Sequence, residues 1–600
     1  MNNIESINQK AIETIQVATK KQNVITLFRF LVFIVFVAEF GRYIFLKTSV
    51  FELIIGIVFF AVFLSLVITS RNLFDKIQFF DAVKKVCFEI QDEGKSNVDK
   101  TFSETNSNHP YGHDLGIFGN NSLFQKINRC QTQFGKNKLA FYLAHHLLEK
   151  EAILERQKGI QELAEKVAWS VDFLATTKTI GQNEADDLKN EKKWSFDYTQ
   201  FSLNKKSVQL VLIGVPILNV ALIVLAIYIK STLLSTSVFS FILVISLLIN
   251  KVFGKTVSKI IAAVDNKANI LKGYVPVLLL IEKEQFLSKT NLLLQQKVAT
   301  NSEITASARI KKLSQLIDSY ESGTIQIFGT ILDMVFLWRL QFAAKIENFI
   351  FENNDEFPKW FDAIAEFEAR ISLGLFAYQN NEFQYPICSE NSRVIAAVQL
   401  SHPLIPKGER VFNDFSTIEN NNVTIVTGAN MTGKSTFLRS VGINMVLAMN
   451  GCPVCAESFV FSPISIFTSM STSDSLSDGS SYFNAEIQRL RLLIEKLENN
   501  EPQFIILDEI LKGTNSVDKL KGSELFLEKI IKMKTFNTCL IATHDLELTK
   551  MESSFPNAIS NYCFELHHKN GLLEPDYKLQ RGVTKSMNAI ELMRRNHIID

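Results

Sequence analysis

The sequence has little cysteine, little tryptophan and almost no excess of charge. Its seven cysteines, Cys87, Cys130, Cys388, Cys452, Cys455, Cys539 and Cys563, are odd in number and mostly isolated. That pattern argues against a disulfide framework and for a reducing compartment. Lysine and arginine total 63 against 62 acidic residues, so the formal net charge of +1 supplies no global pull toward nucleic acid or an anionic membrane. Any polyanion site must be local. Only 4 tryptophans stand against 48 phenylalanines, and 47% of residues are hydrophobic against 21% charged, which excludes a disordered or collagen-like chain. At about 150 residues per domain, 600 residues suggest roughly four domain-sized pieces.

What is abundant is apolar sequence, and it is unevenly spread. Leu27 to Leu46 is apolar apart from Arg29, Glu39 and Arg42; Leu53 to Thr69, Val208 to Ile229 and Leu233 to Ile249 carry no charge. A span needs about 20 apolar residues, or roughly 17 at the short end. These runs form two close pairs, which predicts two membrane hairpins; the alternative is buried core helices of a large soluble protein. Lys20, Lys21, Arg71, Lys76, Lys205, Lys206, Lys251 and Lys255 flank the pairs, while mainly Lys47 and Lys230 lie within them. By the positive-inside rule, both termini and the middle segment are then cytoplasmic. Glu39 and Arg42 share a helical face and can pair. The long polar N-terminus ahead of the first apolar run disfavours a cleaved signal peptide.

Between the pairs, Leu139 to Leu163 has helical periodicity, and Ile260 to Glu368 is again helix-like and poor in glycine and proline. From Val394 onward, short β-branched runs alternate with polar turns, the texture of an α/β domain. Within it Val423 to Thr427 reads as a buried strand. The loop Gly428, Ala429, Asn430, Met431, Thr432, Gly433, Lys434, Ser435, Thr436 follows, and then an apolar helix. This is G-x-x-x-x-G-K-S in its required context. Its backbone N–H groups and the helix N-terminus suit phosphate, Lys434 reaches the terminal phosphates, and Ser435 can ligate Mg²⁺. A second apolar strand ends in Asp508 and Glu509, placed to hold the Mg²⁺ shell and to polarise a hydrolytic water. A third strand delivers His544 and Asp545 to the same sheet edge, where His544 is a candidate γ-phosphate contact. Thr472 to Phe483 is a serine- and glycine-rich loop that opens a helix, a further candidate anion site.

Together these segments resemble the ATPase domain of the DNA mismatch-repair MutS family, a branch of the ABC-type ATPases. Gly428 to Thr436 departs from the family loop only in Ala429, where proline is usual. Gly451 to Glu457 is similar to another family segment, so Cys452 and Cys455 read as packing residues in preference to a metal or redox pair. Asp478 to Glu486 resembles the signature loop, Asp508 to Asn515 the Walker B strand with its following loop, Ala542 to Asp545 the histidine switch, and Tyr577 to Val583 the last strand and turn. Weaker likeness covers Asp114 to Gly116, Asn128 to Lys136, Glu155 and Arg156, Phe367 to Phe376, and His402 with Pro403.

The resemblance implies ATP and Mg²⁺ as cofactors and a homodimer that sandwiches nucleotide. Lys434, Ser435, Asp508, Glu509 and His544 would act in cis and Ser481 in trans, with Phe412 the nearest candidate to stack on adenine. It also implies DNA as partner. Two departures qualify that implication. An apolar hairpin stands where other members carry a mismatch-reading domain, and Val208 to Ile249 stands where they carry long levers and a DNA clamp. Lys251, Lys255, Lys259, Lys267 and Lys272 suit either DNA phosphates or a positive-inside flank. A transport ATPase, suggested by Leu476 to Ser480, and a membrane scaffold ATPase without DNA are the alternatives.

The expected fold is thus multidomain, α plus α/β, with a mostly helical core, two hairpins and a C-terminal P-loop ABC-type domain. Residues 1–23 would form a cytoplasmic N-terminus, 24–71 the first hairpin and 72–205 the first part of the core. Residues 206–251 would form the second hairpin, 252–393 the remaining core and lever, and 394–600 the ATPase domain.

Overall fold

The computed structural model describes residues 3–46, 50–92, 109–181, 203, 205–229, 231–299, 304–324, 328–389, 394–417, 423–470, 482–533, 535, 537–569 and 572–585. Helices α1 (Asn3–Leu46) and α2 (Val50–Gln91) form the first apolar hairpin. Phe33 packs on Phe63 and Phe36 on Phe60, with ring centroids 5.3 and 5.0 Å apart. Near the hairpin end Arg42 pairs with Glu39 at 3.5 Å, as the spacing suggests, and also with Glu52 across the hairpin at 3.2 Å.

The helical core follows with α3 (Leu123–Ile127), α4 (Gln133–Ala144), α5 (Lys150–Glu165) and α6 (Val167–Gly181). Thr132 starts α4 by accepting from the N–H of Gly135 at 3.1 Å. The second hairpin is α7 (Lys206–Ile229) with α8 (Thr232–Lys283), and Ser231 caps α8 at the tip. After it come α9 (Lys289–Ala299), α10 (Ala306–Ser322), α11 (Phe328–Phe336), α12 (Trp338–Asn353) and α13 (Phe357–Gln379).

Helix α13 is the hub. Trp360, Phe367 and Ile371 belong to a core shared with α2, α6, α8 and α12, while Ala369, Leu373 and Phe376 belong to a second core beneath the sheets. Helix α2 is tied in where it leaves the hairpin. Glu89 accepts from Lys178 at 2.5 Å and from Gln131 at 3.2 Å, and the carbonyl of Ile90 accepts from Gln379.

Among the described residues, four helices are long and apolar enough to cross a membrane. Only 6, 6, 17 and 11% of their apolar windows is buried, so within this chain these runs are mostly exposed and do not form its buried core. The helices overrun the apolar runs: α2 continues to Gln91, and the 52 residues of α8, roughly 80 Å at 1.5 Å per residue, make the hairpin and the expected lever one element.

The C-terminal region has two sheets. Strands β1 (Ile387–Cys388), β2 (Ile395–Leu400), β3 (Asn413–Ser416) and β5 (Ser458–Phe461) pair in the order β1-β5-β2-β3. The larger sheet is built from β4 (Val423–Gly428), β6 (Ser465–Ser469), β7 (Gln503–Asp508), β8 (Asn537–Ala542), β9 (Ile559–Lys569) and β10 (Leu572–Arg581), in the order β10-β9-β4-β8-β7-β6. All of its pairings are parallel except β9 with β10. Helices α14 (Lys434–Met449), α15 (Tyr482–Glu498), α16 (Ser516–Lys532) and α17 (Met551–Ser554) complete the domain. Strands β4 and β8 are buried along their whole length, which fits the apolar runs that announce them.

Candidate functional site

The register brings the three expected motifs to one edge. Asp508 lies opposite Ala542, and Val426 lies opposite Ala542 on the other side of β8. The residues that follow β4, β7 and β8 therefore emerge together at the carboxyl ends of central parallel strands, where open α/β sheets form crevices.

The first loop turns on two glycines. Gly428 has φ +152° and Gly433 φ +102°. A Cβ on Gly428 would lie 2.8 Å from the Thr432 hydroxyl and 2.9 Å from the Phe564 carbonyl, and one on Gly433 would lie 3.0 Å from the Tyr577 ring. Neither position has room for a side chain. Met431, with φ +65°, points its side chain into solvent, while Ala429 is buried and Thr432 donates to the Ala429 carbonyl at 2.8 Å. Asn430 and Thr436 are exposed on the rim.

Lys434 is buried and folded back on its own loop. Its ammonium donates to the carbonyls of Gly428 at 2.8 Å and Ala429 at 2.9 Å, and lies 3.3 Å from His544 Nε2. Burial pulls its pKa down to about 8, against the attraction of Asp508 and Glu509. Ser435, at the start of α14, donates to Asp508 Oδ2 at 2.5 Å.

Glu509 occupies the left-handed region at φ +52°, held there by its N–H donating to the Ala542 carbonyl at 2.9 Å. Such a backbone is costly for a side chain with a Cβ and marks a constrained position. The turn aims Glu509 Oε1 to within 3.2 Å of His544 Nε2. A single imidazole nitrogen thus faces an ammonium and a carboxylate, and it can accept from the first or donate to the second, not both. Burial, then Lys434, lower the His544 pKa, and Glu509 opposes them.

Beside the loop lies a cavity of about 390 Å³ lined by Leu404, Val411, Gly433, Thr436, Phe437 and Tyr577. Phe412 is not among its lining residues, and its carbonyl instead accepts from Lys578 at 2.7 Å. Among the aromatic side chains that do line it, with Phe437 and Phe564, is Tyr577, set at φ +58° in the irregular stretch between Pro575 and Leu579 and held by Asn413 donating to its carbonyl at 3.0 Å. A second residue that sequence reasoning left without a role is Glu486 of α15. Its buried carboxylate accepts from the N–H groups of Leu511 at 2.6 Å and Lys512 at 3.2 Å, clamping the loop after Glu509. Its spacing from Glu509 hides this contact.

Ser481 and the loop 471–481 lie outside the described residues. The strand before that loop is fixed by Asp114, which accepts from the Thr468 hydroxyl at 2.7 Å and the Met470 N–H at 3.1 Å. Cys452 and Cys455 are both buried, and burial pushes their thiols up to about 12 and about 11. They sit as packing groups.

Residues 424–598 match the family model MutS domain V. The protein is 29% identical over 511 residues to the DNA mismatch repair protein MutS of Finegoldia magna, an alignment covering 79% of this chain and 58% of that protein. These matches support a relationship to the MutS family. The chain is 28% identical over 308 residues to MutS of Clostridium botulinum (strain Okra), covering 50% of this chain and 31% of the relative. It is 31% identical over 256 residues to MutS protein homolog 4 of Mus musculus, covering 41% and 26%. The chain spans a little over half of the length of the first of these relatives and about a third or less of the other two.

Proposed function

We propose that the chain is a membrane-anchored ATPase of the MutS family whose P-loop ABC-type domain binds and hydrolyses ATP in a dimer. The observation that carries this reading is the convergence of Lys434, the Ser435–Asp508 pair and the Glu509–His544 pair at the ends of β4, β7 and β8. The residues fit the ligands. Ser435 and Asp508 form an oxygen donor pair of the kind Mg²⁺ takes, and Gly428 and Gly433, both at positive φ, give the loop ahead of α14 the tight turn that a phosphate-binding loop needs. Bound Mg²⁺ would supply charge neutralisation between β- and γ-phosphates.

The chain's own part follows from the contacts. Lys434 exchanges the Gly428 and Ala429 carbonyls for phosphate oxygens. That exchange frees His544 Nε2 to donate, either to Glu509 or toward the terminal phosphate. Glu509, fixed by its strained backbone, orients and polarises the attacking water. The Tyr577 side of the cavity receives the base. Glu486 couples α15 to the loop that follows Glu509, and Ser481 would act in trans.

The four apolar helices would cross the bilayer with both termini and the ATPase domain on the cytoplasmic side. The names of the relatives support a mismatch-repair-type role with DNA as partner. A scaffold ATPase without DNA is the second reading, favoured by the exposed apolar helix pair over residues 3–91.

The test is Glu509→Gln in the full chain in lipid. Hydrolysis should fall about 10²- to 10³-fold while nucleotide stays bound, and the ATP-loaded variant should accumulate as a dimer by light scattering. Undiminished turnover would remove Glu509 from the reaction, and a monomer fully loaded with ATP would remove the dimeric site. Mismatched duplex binding that weakens with salt separates the two readings of its partner.

A further inference from the structure

Helix α11 is too short to cross a membrane, yet it sits against the second hairpin within the hairpin's apolar length. Ile331, Met334 and Val335 share a cavity of about 280 Å³ with residues of both hairpin helices, among them Ile223, Ile227 and Phe239. Asn219 stands near the middle of the uncharged run of α7 and is fully buried. Its amide donates to the carbonyls of Met334 at 3.3 Å and Val335 at 3.0 Å.

The other two carbonyls at the end of α11 are also answered. The Leu337 N–H donates to Asp333 O at 3.0 Å, and Gln341 donates to Phe336 O at 2.8 Å. A helix end leaves its last four carbonyls without intrahelical partners, and water normally serves some of them. Here protein donors serve all four, which is what a water-free surrounding demands. The one charged side chain of α11, Asp333, is buried and neutralised by Arg339 through Nε at 3.0 Å and Nη2 at 2.7 Å, with Asn250 at 3.4 Å. On the outside, Ile331 and Phe336 are 56 and 39% exposed, continuous with the exposed apolar surface of α7 and α8.

We infer that α11 is a fifth membrane-embedded element, a re-entrant helix whose Ile331 and Phe336 contact lipid acyl chains while α12 carries the connection back to the core. This rests on the reading of the hairpins as membrane spans. The second hairpin is then a three-helix unit in which Asn219 supplies, from within α7, the donors that water supplies elsewhere.

The test uses Ile331→Cys and Phe336→Cys in the full chain in lipid nanodiscs, where both membrane faces are accessible. All seven native cysteines are buried, so background labelling is low. Leu243→Cys, within the apolar run of α8, is the lipid reference; Leu287→Cys, 87% exposed on the helical core, is the water reference. The α11 cysteines should react with a charged maleimide at least an order of magnitude more slowly than Leu287→Cys, and both sites should crosslink to a phospholipid bearing a diazirine in its acyl chain. Reaction at the water rate with Leu243→Cys still protected would overturn the proposal and leave the hairpins standing. Water-rate reaction at Leu243→Cys as well would remove the membrane reading, and the proposal with it. Protection accompanied by crosslinks to a second copy instead of lipid would assign the surface to a protein interface and overturn the lipid contact.

Discussion

The polar groups buried in the Lys434 loop and those buried against the second hairpin are partnered in opposite ways. In the loop, Lys434 is held by its own backbone carbonyls, Ser435 by Asp508, and His544 by both an ammonium and a carboxylate that compete for one nitrogen. Each contact can be exchanged for a ligand oxygen without leaving a buried group empty. In the hairpin, Asn219 serves carbonyls that have no other side-chain donor among the described residues, and Asp333 is closed by a two-nitrogen guanidinium contact. Those contacts have nothing to be exchanged for in hydrocarbon. Provisional pairing marks a binding site, and permanent pairing marks structure.

The sharpest way to break this distinction is Lys434→Ala. If its contacts are provisional, removing the ammonium should lower nucleotide affinity by at least about 10²-fold, because a preorganised charge at the phosphates is lost. The fold should barely respond, since a desolvated cation disappears together with its contacts. Isothermal titration with ATP and a melting curve in the same lipid check both halves. Unchanged affinity, or a collapse of the melting transition, would show Lys434 to be structural.

Asp333→Ala should behave in the reverse sense. It strands the Arg339 guanidinium and loosens α11, at a cost of roughly 1–3 kcal/mol, moderated because Arg339 is partly exposed. The melting temperature in lipid should fall while ATP turnover per folded molecule holds. A variant that lost turnover with an unchanged melting temperature would make the α11 contacts part of the catalytic cycle and erase the contrast.

The two regions were also unequally legible. Gly428 to Ser435, Asp508 and His544 stood out because each chemistry-bearing residue follows directly on an apolar strand, so local order in the chain maps onto one sheet edge. Apolar runs could not give the helix ends, because hydropathy reports the solvent around a helix and not its backbone. Arg71, Asp75 and Lys76 end the apolar surface of α2 but not α2 itself, and α8 passes Lys251 and Lys255 without interruption. Helix α11 was invisible as a separate element because nine residues fall short of a span and its key partner, Asn219, lies more than a hundred residues away. Tyr577 was hidden for another reason: a strand irregularity and a positive φ turn it toward the cavity, and neither is encoded in periodicity.

Glu368 extends the contrast into the core that joins the two regions. Fully buried on α13, it accepts from the N–H groups of Gln131 at 3.0 Å and Thr132 at 3.2 Å and from the Thr132 hydroxyl, tying α13 to the start of α4. Burial pushes its pKa up to about 7, against those hydrogen bonds, which lower it. Because the folded value exceeds the unfolded one near 4.5, the native state holds the proton more tightly. That contribution is fully present below about pH 4.5 and is lost as pH rises through about 7, a change of roughly 2–4 kcal/mol. Glu368→Gln, neutral throughout, should flatten the slope. Denaturant titrations followed by fluorescence of the buried Trp360 at pH 5 to 8 measure it, and an equal slope in both proteins would place the pH dependence elsewhere. If the slope does vanish, Glu368 is a permanent structural pair whose strength is set by protonation, a third class beside the exchangeable groups of the loop and the closed groups of the hairpin.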